Sequence, residues 1–525
     1  MKMRLSVLAC ICLASMVPTL TWAQNGVEIG QMVKQTMKES WADIEPIGQD
    51  EQGAYYLMIP YSEVISGPVV GDRDFYFALI NEHAALVNKK VANFSVDGKE
   101  SDYEFTQEIN GKIMVFSTVE EKKAKTVTFY AQELDKKNLS LTSPKKVVQL
   151  SFAKLKRDYE RAIFKAEPSR DKSKLLISYS LVNDENSILT FGYVLLDAGM
   201  KEMYTWDGSL DMSDGIYMFD QFRVSNKGEV YLLTRFFDNK KDYSKNASLK
   251  KTNILSATRS MEYKANYDHR IVRFDSNGGS KIIPVPAEKT FYNALDLGIG
   301  ADGNLLLIGF YSDNDENLPS GAVCLKVNTK TNTVTETGKK DFGADFLMPS
   351  DISIKNVGLA AGKDQFLSYR FILSDIQFNK NGGYTLIGER NVAQQKRNGN
   401  VFYTVNHMDD LAVIDVNAAG AITGVYKVEK SQQAVDMEIF NASYFYTEYN
   451  GSKYFAFANM GKPNFKENVL VKITPDGKQT KEVMYTTKDA EVTIRPKDCV
   501  LYKGKKLIMY GNKNNRYVRW AAKTF

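Results

Sequence analysis

One phrase recurs along this chain and limits what it can fold into. It is an apolar strand, a tight turn at glycine, and a second strand dense in Leu, Ile, Val, Tyr and Phe. The phrase stands around Gly228 (FDQFRVSNKGEVYLLTRF), Gly303 (LDLGIGADGNLLLIGFY), Gly382 (DIQFNKNGGYTLIGE) and Gly504 (DCVLYKGKKLIMYG). Weaker copies follow Gly53 (AYYLMIPY), Gly111 (KIMVFSTV), the SRDKSK turn (KLLISYSL) and Gly451 (KYFAFAN). Self-similarity of this kind marks a repeat architecture, in which each unit buries its apolar face against its neighbours.

Between the phrases lies a second hairpin of different character, as in HRIVRFDSNGGSKIIPV and VLVKITPDGKQTKEVMY. Its strands alternate apolar and polar residues, whereas the first hairpin is almost continuously apolar. A buried inner pair and a half-exposed outer pair account for the difference. Four antiparallel strands per unit describe the blade of a β-propeller. The expected fold is therefore all-β, a β-propeller of four-stranded antiparallel blades with eight favoured and seven the next count. Paired sheets or a two-domain sandwich are the alternative. The last unit has residues for a third strand and no fourth, and residues 27–36 are the expected closing strand, which would remove the open sheet edge.

The repeat, clearest in SDIQFNKNGGYTLIGE and GIGADGNLLLIG, resembles the NHL-like and other D-x-x-G-type propeller repeats of exported bacterial proteins. The resemblance covers turn and strand patterns over most of the chain. It implies a circular fold used mainly for binding, with some enzymatic members, and no functional residue carries across.

Residues 1–23 read as a cleavable signal peptide: Lys2 and Arg4, then an apolar stretch, then Thr21-Trp22-Ala23, with small residues at positions 21 and 23. The expected product is exported, to the periplasm or the extracellular space or in association with the outer membrane. Residues 24–525 are read as a single propeller domain that works as a monomer with no membrane span. Cleavage would leave Cys324 and Cys499, which read as buried thiols within strand phrases rather than as a disulfide. The 68 basic and 63 acidic residues nearly balance, so no concentrated basic face points to nucleic acid.

Most chemical motifs fail on context. Gly298, Gly300 and Gly303 match the dinucleotide pattern G-x-G-x-x-G, but a strand follows where the phosphate-binding helix should stand. The acidic run from Ser312 to Asn317 lacks the glycine and the closing glutamate of a calcium loop. With only His83, His269 and His407, neither a zinc helix nor a nucleophile elbow is present. His269 reads as a packing or surface residue. No catalytic residue, metal ligand or cofactor is predicted.

Strand order assigns loops to faces. In a four-stranded blade the connections between second and third strands, and the crossovers to the next blade, share one face. Three long segments fall there, on neighbouring units: residues 238–267, 341–365 and 390–408. Basic residues mixed with tyrosine suit a protein, a peptide or an anionic glycan or other polymer. The expected contact residues are Tyr243, Lys250, Lys251, Arg259, Tyr263, Arg390, Lys396, Arg397, Tyr403 and His407. The favoured function is a non-catalytic binder; the alternative is a glycan-active hydrolase or lyase with carboxylates in the central funnel. Asp, Glu, Tyr or His clustered around an open pocket at the funnel mouth would favour the enzyme, and a channel plugged by apolar side chains the binder.

Overall fold

The structure is a computed structural model that describes residues 26–35, 43–59, 74–151, 163–181, 190–208, 215–238, 267–287, 290–300, 303–313, 319–350, 370–379, 381–398, 401–435, 441–462, 465–513 and 517–525. It is an eight-bladed β-propeller of four-stranded antiparallel blades. The second strands of the blades are Ala54–Ile59, Lys112–Glu121, Lys174–Leu181, Val230–Phe237, Leu305–Ser312, Tyr384–Asn398, Ser452–Lys462 and Lys506–Lys513. Each coincides with one of the eight apolar phrases. A strand enclosed by neighbouring blades on both faces has no polar side, which is why these runs do not alternate.

Successive blades share their cores. Tyr231 and Leu233 of blade four pack with Leu297, Leu307 and Val323 of blade five. Leu306, Ile308 and Cys324 of blade five pack in turn with Leu386, Ala412 and Ile414 of blade six. Each blade thus gives alternate residues of one strand to two cores, as the period-2 geometry requires. The glycines at the first turns serve backbone conformation. Gly228, Gly303 and Gly382 have φ of 88°, 83° and 87°, a region that side-chain-bearing residues adopt at a cost.

In blade eight the innermost edge is broken into Thr493–Ile494, a short 3₁₀ turn at Pro496–Asp498, and Val500–Tyr502. Tyr517–Thr524 is its third strand, and Val27–Ile29 and Val33–Lys34 pair antiparallel along the outer side of that strand. Glu28 also bonds Lys506 of blade eight at 3.0 Å and His83 of blade one at 2.9 Å.

Cys324 and Cys499 are buried free thiols. Burial pushes Cys324 up to about 11, and it also raises Cys499, so neither is a ready nucleophile. His269 is buried with its ring edge against Tyr267. Gly300 and Gly303 close a hairpin turn, Gly303 N donating to Gly300 O at 3.0 Å, so the glycine triplet binds no pyrophosphate. Residues 314–317 of the acidic run and the expected leader at residues 1–23 lie outside the described residues. No helix among the described residues is long and apolar enough to cross a membrane.

Candidate functional site: the blade-six arm and its buried charged base

Residues 390–398 and 401–408 form strand rather than loop. Tyr384–Asn398 and Val401–Val416 pair continuously as a hairpin, from Tyr384↔Val416 to Asn398↔Val401. Among the described residues, the inner strand of the blade, Arg370–Phe378, accompanies this hairpin as far as Asn391. Beyond it, residues 392–398 continue against residues 401–407, seven residues on each side. At about 3.3 Å per residue this part of the ribbon is about 23 Å long. Gln433–Val435 pairs with residues 405–407 and braces the root of this arm. The register sets Lys396 opposite Tyr403, and Arg397 opposite Phe402.

The arm stands on a bulge. Glu389 pairs with Leu411 and Arg390 with Asp409, so Asp410 is the extra residue. A bulge re-aims side chains locally, and here Glu389, Arg390, Asp409 and Asp410 are all buried. Lys430, 1% exposed, sits among them. Its ammonium donates to Gln432 Oε1 at 2.6 Å and to the Met408 carbonyl at 2.5 Å, and it pairs ionically with Glu389 Oε1 at 2.7 Å. Burial pulls the Lys430 ammonium below its usual range, against the opposing pull of Glu389, Asp409 and Asp410. Ser443 Oγ donates to the other oxygen of Glu389 at 2.9 Å.

This network ties the arm to its surroundings. Gln432 Nε2 donates to Ala458 O in blade seven at 2.8 Å, and Ser443 N donates to Gln432 Oε1 at 2.8 Å. On the other side, Arg390 Nη2 donates to Leu347 O at 2.9 Å, and Asp410 Oδ2 accepts from Ser350 N at 2.9 Å. Leu347 and Ser350 belong to the crossover from blade five. The charges are enclosed and hydrogen-bonded, which fixes one geometry for the base of the arm.

The sequence-predicted contact residues therefore divide. Tyr243, Lys250, Lys251, Arg259 and Tyr263 lie outside the described residues. Lys396, Arg397 and Tyr403 fall on the arm. Arg390 and His407 are 1% and 5% exposed and belong to its base, not to a contact surface. Glu389, Asp410, Lys430, Gln432 and Ser443 were not among the predicted residues. The one hint of them is the polar pair Glu389-Arg390 ending an apolar run.

The channel differs from both arrangements expected of it. Arg223 of blade four's inner strand bonds Glu167 of blade three at 2.7 Å and Asp296 of blade five at 3.3 Å. Asp296 also accepts from Ile376 N of blade six at 3.1 Å. At the turn face, Arg170 of blade three donates to Asn379 O of blade six at 3.2 Å and lies 5.0 Å from the Phe378 ring centroid. Blades three and six are not neighbours, so Arg170 spans between turns on separated blades. Charged groups rather than an apolar plug bridge these inner strands.

No protein-family model matches this sequence, and no curated protein matches it. Solved structures of similar architecture include the Dos1 propeller, 8% identical over 91% of this chain and 95% of the other, with a TM-score of 0.40. The β-propeller domain of the Trilobed protease from Pyrococcus furiosus is 9% identical over 85% and 95%, with a TM-score of 0.35. The periplasmic gluconolactonase of Pseudomonas aeruginosa is 12% identical over 77% and 89%, with a TM-score of 0.32. None of these likenesses transfers a residue or an activity to this chain.

Proposed function

We propose that this chain is an exported, non-catalytic binding protein that captures an acidic protein surface with the blade-six arm. The observation that carries the reading is the ribbon of residues 392–398 and 401–407, continuing beyond the inner strand on a buried, hydrogen-bonded base. A rigidly mounted ribbon loses little conformational freedom on binding, which favours affinity. Lys396 and Arg397 supply positive charge, and Phe402 and Tyr403 supply flat contact area. Export rests on the leader-like pattern of residues 1–23. Glu167 and Asp296 share one guanidinium, which leaves them poorly placed for the acid and base roles of glycoside cleavage.

The test replaces residues 395–404 by Asn-Gly, a two-residue turn that keeps the Gln394↔Val405 pair. The shortened protein should fold normally and lose at least about tenfold in capture of its partner from the native envelope, as should Lys396→Glu with Arg397→Glu. Unchanged capture by both variants would remove the arm from the account. Glycan turnover abolished by Asp296→Asn would establish the enzyme instead.

A further inference from the structure

Blade eight differs from the others in where its fourth strand comes from. In the other seven blades the outermost strand follows the third along the chain. In blade eight it is supplied by Val27–Ile29 and Val33–Lys34, from the far end of the sequence. This strap is the outermost strand of its sheet, and no hairpin joins it to the strand it covers. It can therefore leave the sheet edge without unthreading another element. It is also brief: five of its residues pair with Tyr517–Thr524, against eight along the outer edge of blade five.

The seat of the strap is selective. Val27 and Ile29 are buried among Leu470 and Met484 of blade seven and Leu507, Met509 and Ala521 of blade eight. The period-2 alternation of a strand turns Glu28 the other way. There its carboxylate accepts from Lys506 Nζ at 3.0 Å and lies 2.9 Å from His83 Nδ1 of blade one. Gly30 N donates to Trp520 O at 2.9 Å. A Cβ at Gly30 would run into the Ala84 carbonyl oxygen, and that backbone cannot give way as a flexible side chain can. The seat thus reads four successive residues: apolar, acidic, apolar, glycine. The groups that read them belong to blades seven, eight and one, and none to the strap.

We propose that this edge of blade eight is a strand-acceptor site whose built-in occupant is the strap. Its partner is an extended segment of another chain with the pattern Val/Ile, Glu, Val/Ile, Gly, which adds to Tyr517–Thr524 when the strap withdraws. In strand addition the main-chain hydrogen bonds supply affinity and the side-chain seats supply selectivity. The covalent link to blade one holds the strap at a local concentration on the order of mM, which keeps competing segments out until the strap is released.

The test uses the mature protein with a site-specific protease sequence inserted after Glu39, between the strap and blade one. After cutting, a fluorescent peptide of residues 24–36 is added and its anisotropy is read. The cut protein should bind it with a dissociation constant of about 1–100 μM, and the uncut protein at least about 100-fold more weakly. Peptides carrying Gly30→Val or Glu28→Lys should bind the cut protein at least about tenfold more weakly than the native peptide. The site is refuted if the cut protein unfolds, or if it takes up no peptide at about 1 mM. Equal binding by cut and uncut protein, or by the native and Gly30→Val peptides, refutes it as well.

Discussion

Blades five and six begin from the same hairpin phrase and end differently. In blade five every residue of the second strand, Leu305–Ser312, is buried, and the row closes with Phe310 and Tyr311, whose hydroxyl bonds Asp341. In blade six the row turns ionic at Glu389 and Arg390, the partner strand bulges at Asp410, and pairing continues into the arm. Apolar packing is tolerant of detail and non-directional, so it builds a blade. A hydrogen-bonded charge network has one satisfied arrangement, so it can aim a projecting ribbon. The difference predicts different responses to substitution.

The largest effect is expected at the base of the arm. Lys430→Met strands the Glu389 carboxylate in the interior and should cost about 3–5 kcal/mol of stability in denaturant titration. Adding Glu389→Leu should recover more than half of that loss, because an apolar pair carries no desolvation penalty. Leu307→Ala in blade five should cost about 2–5 kcal/mol, with no single second substitution that restores it. If Lys430→Met proves neutral, the two blades are held alike and the comparison fails.

A smaller, pH-dependent effect belongs to blade four. Burial holds His269 down to about 3, with the nearby Arg235 adding to the shift. Below about pH 6.5 the unfolded imidazole takes up a proton that the folded one refuses. Stability is therefore lost as pH falls from about 6.5 toward 3, approaching about 1.4 kcal/mol per pH unit for this group. Relative to His269→Phe, the native protein should lose stability with this slope between about pH 6 and 4.5 in paired urea titrations. Parallel pH profiles would show that His269 titrates normally.

The propeller was legible because its determinants are local: each second strand is a nearly continuous apolar run, and seven of the eight have a turn glycine beside them. The arm was read as a loop. The polar run Gln394-Gln395-Lys396-Arg397-Asn398 carries no burial pattern, and its strand pairing comes from its partner across the turn. Lys430 and Glu389 meet only after the chain has completed a third and a fourth strand, so no spacing rule joins them. The connection between the third and fourth strands of blade two, residues 136–144, is not marked out by any sequence pattern. Its extra strand, Ser140–Leu141, is too brief to leave a periodic signal.

The central claim is that a ribbon fixed by buried charge makes the contact. Amide hydrogen exchange of the mature protein, free and with its captured partner, tests it most directly. The account predicts slowed exchange on residues 394–404 and unchanged exchange at the turns around Gly228 and Gly303. Slowing at those turns, with the arm unaffected, would contradict it.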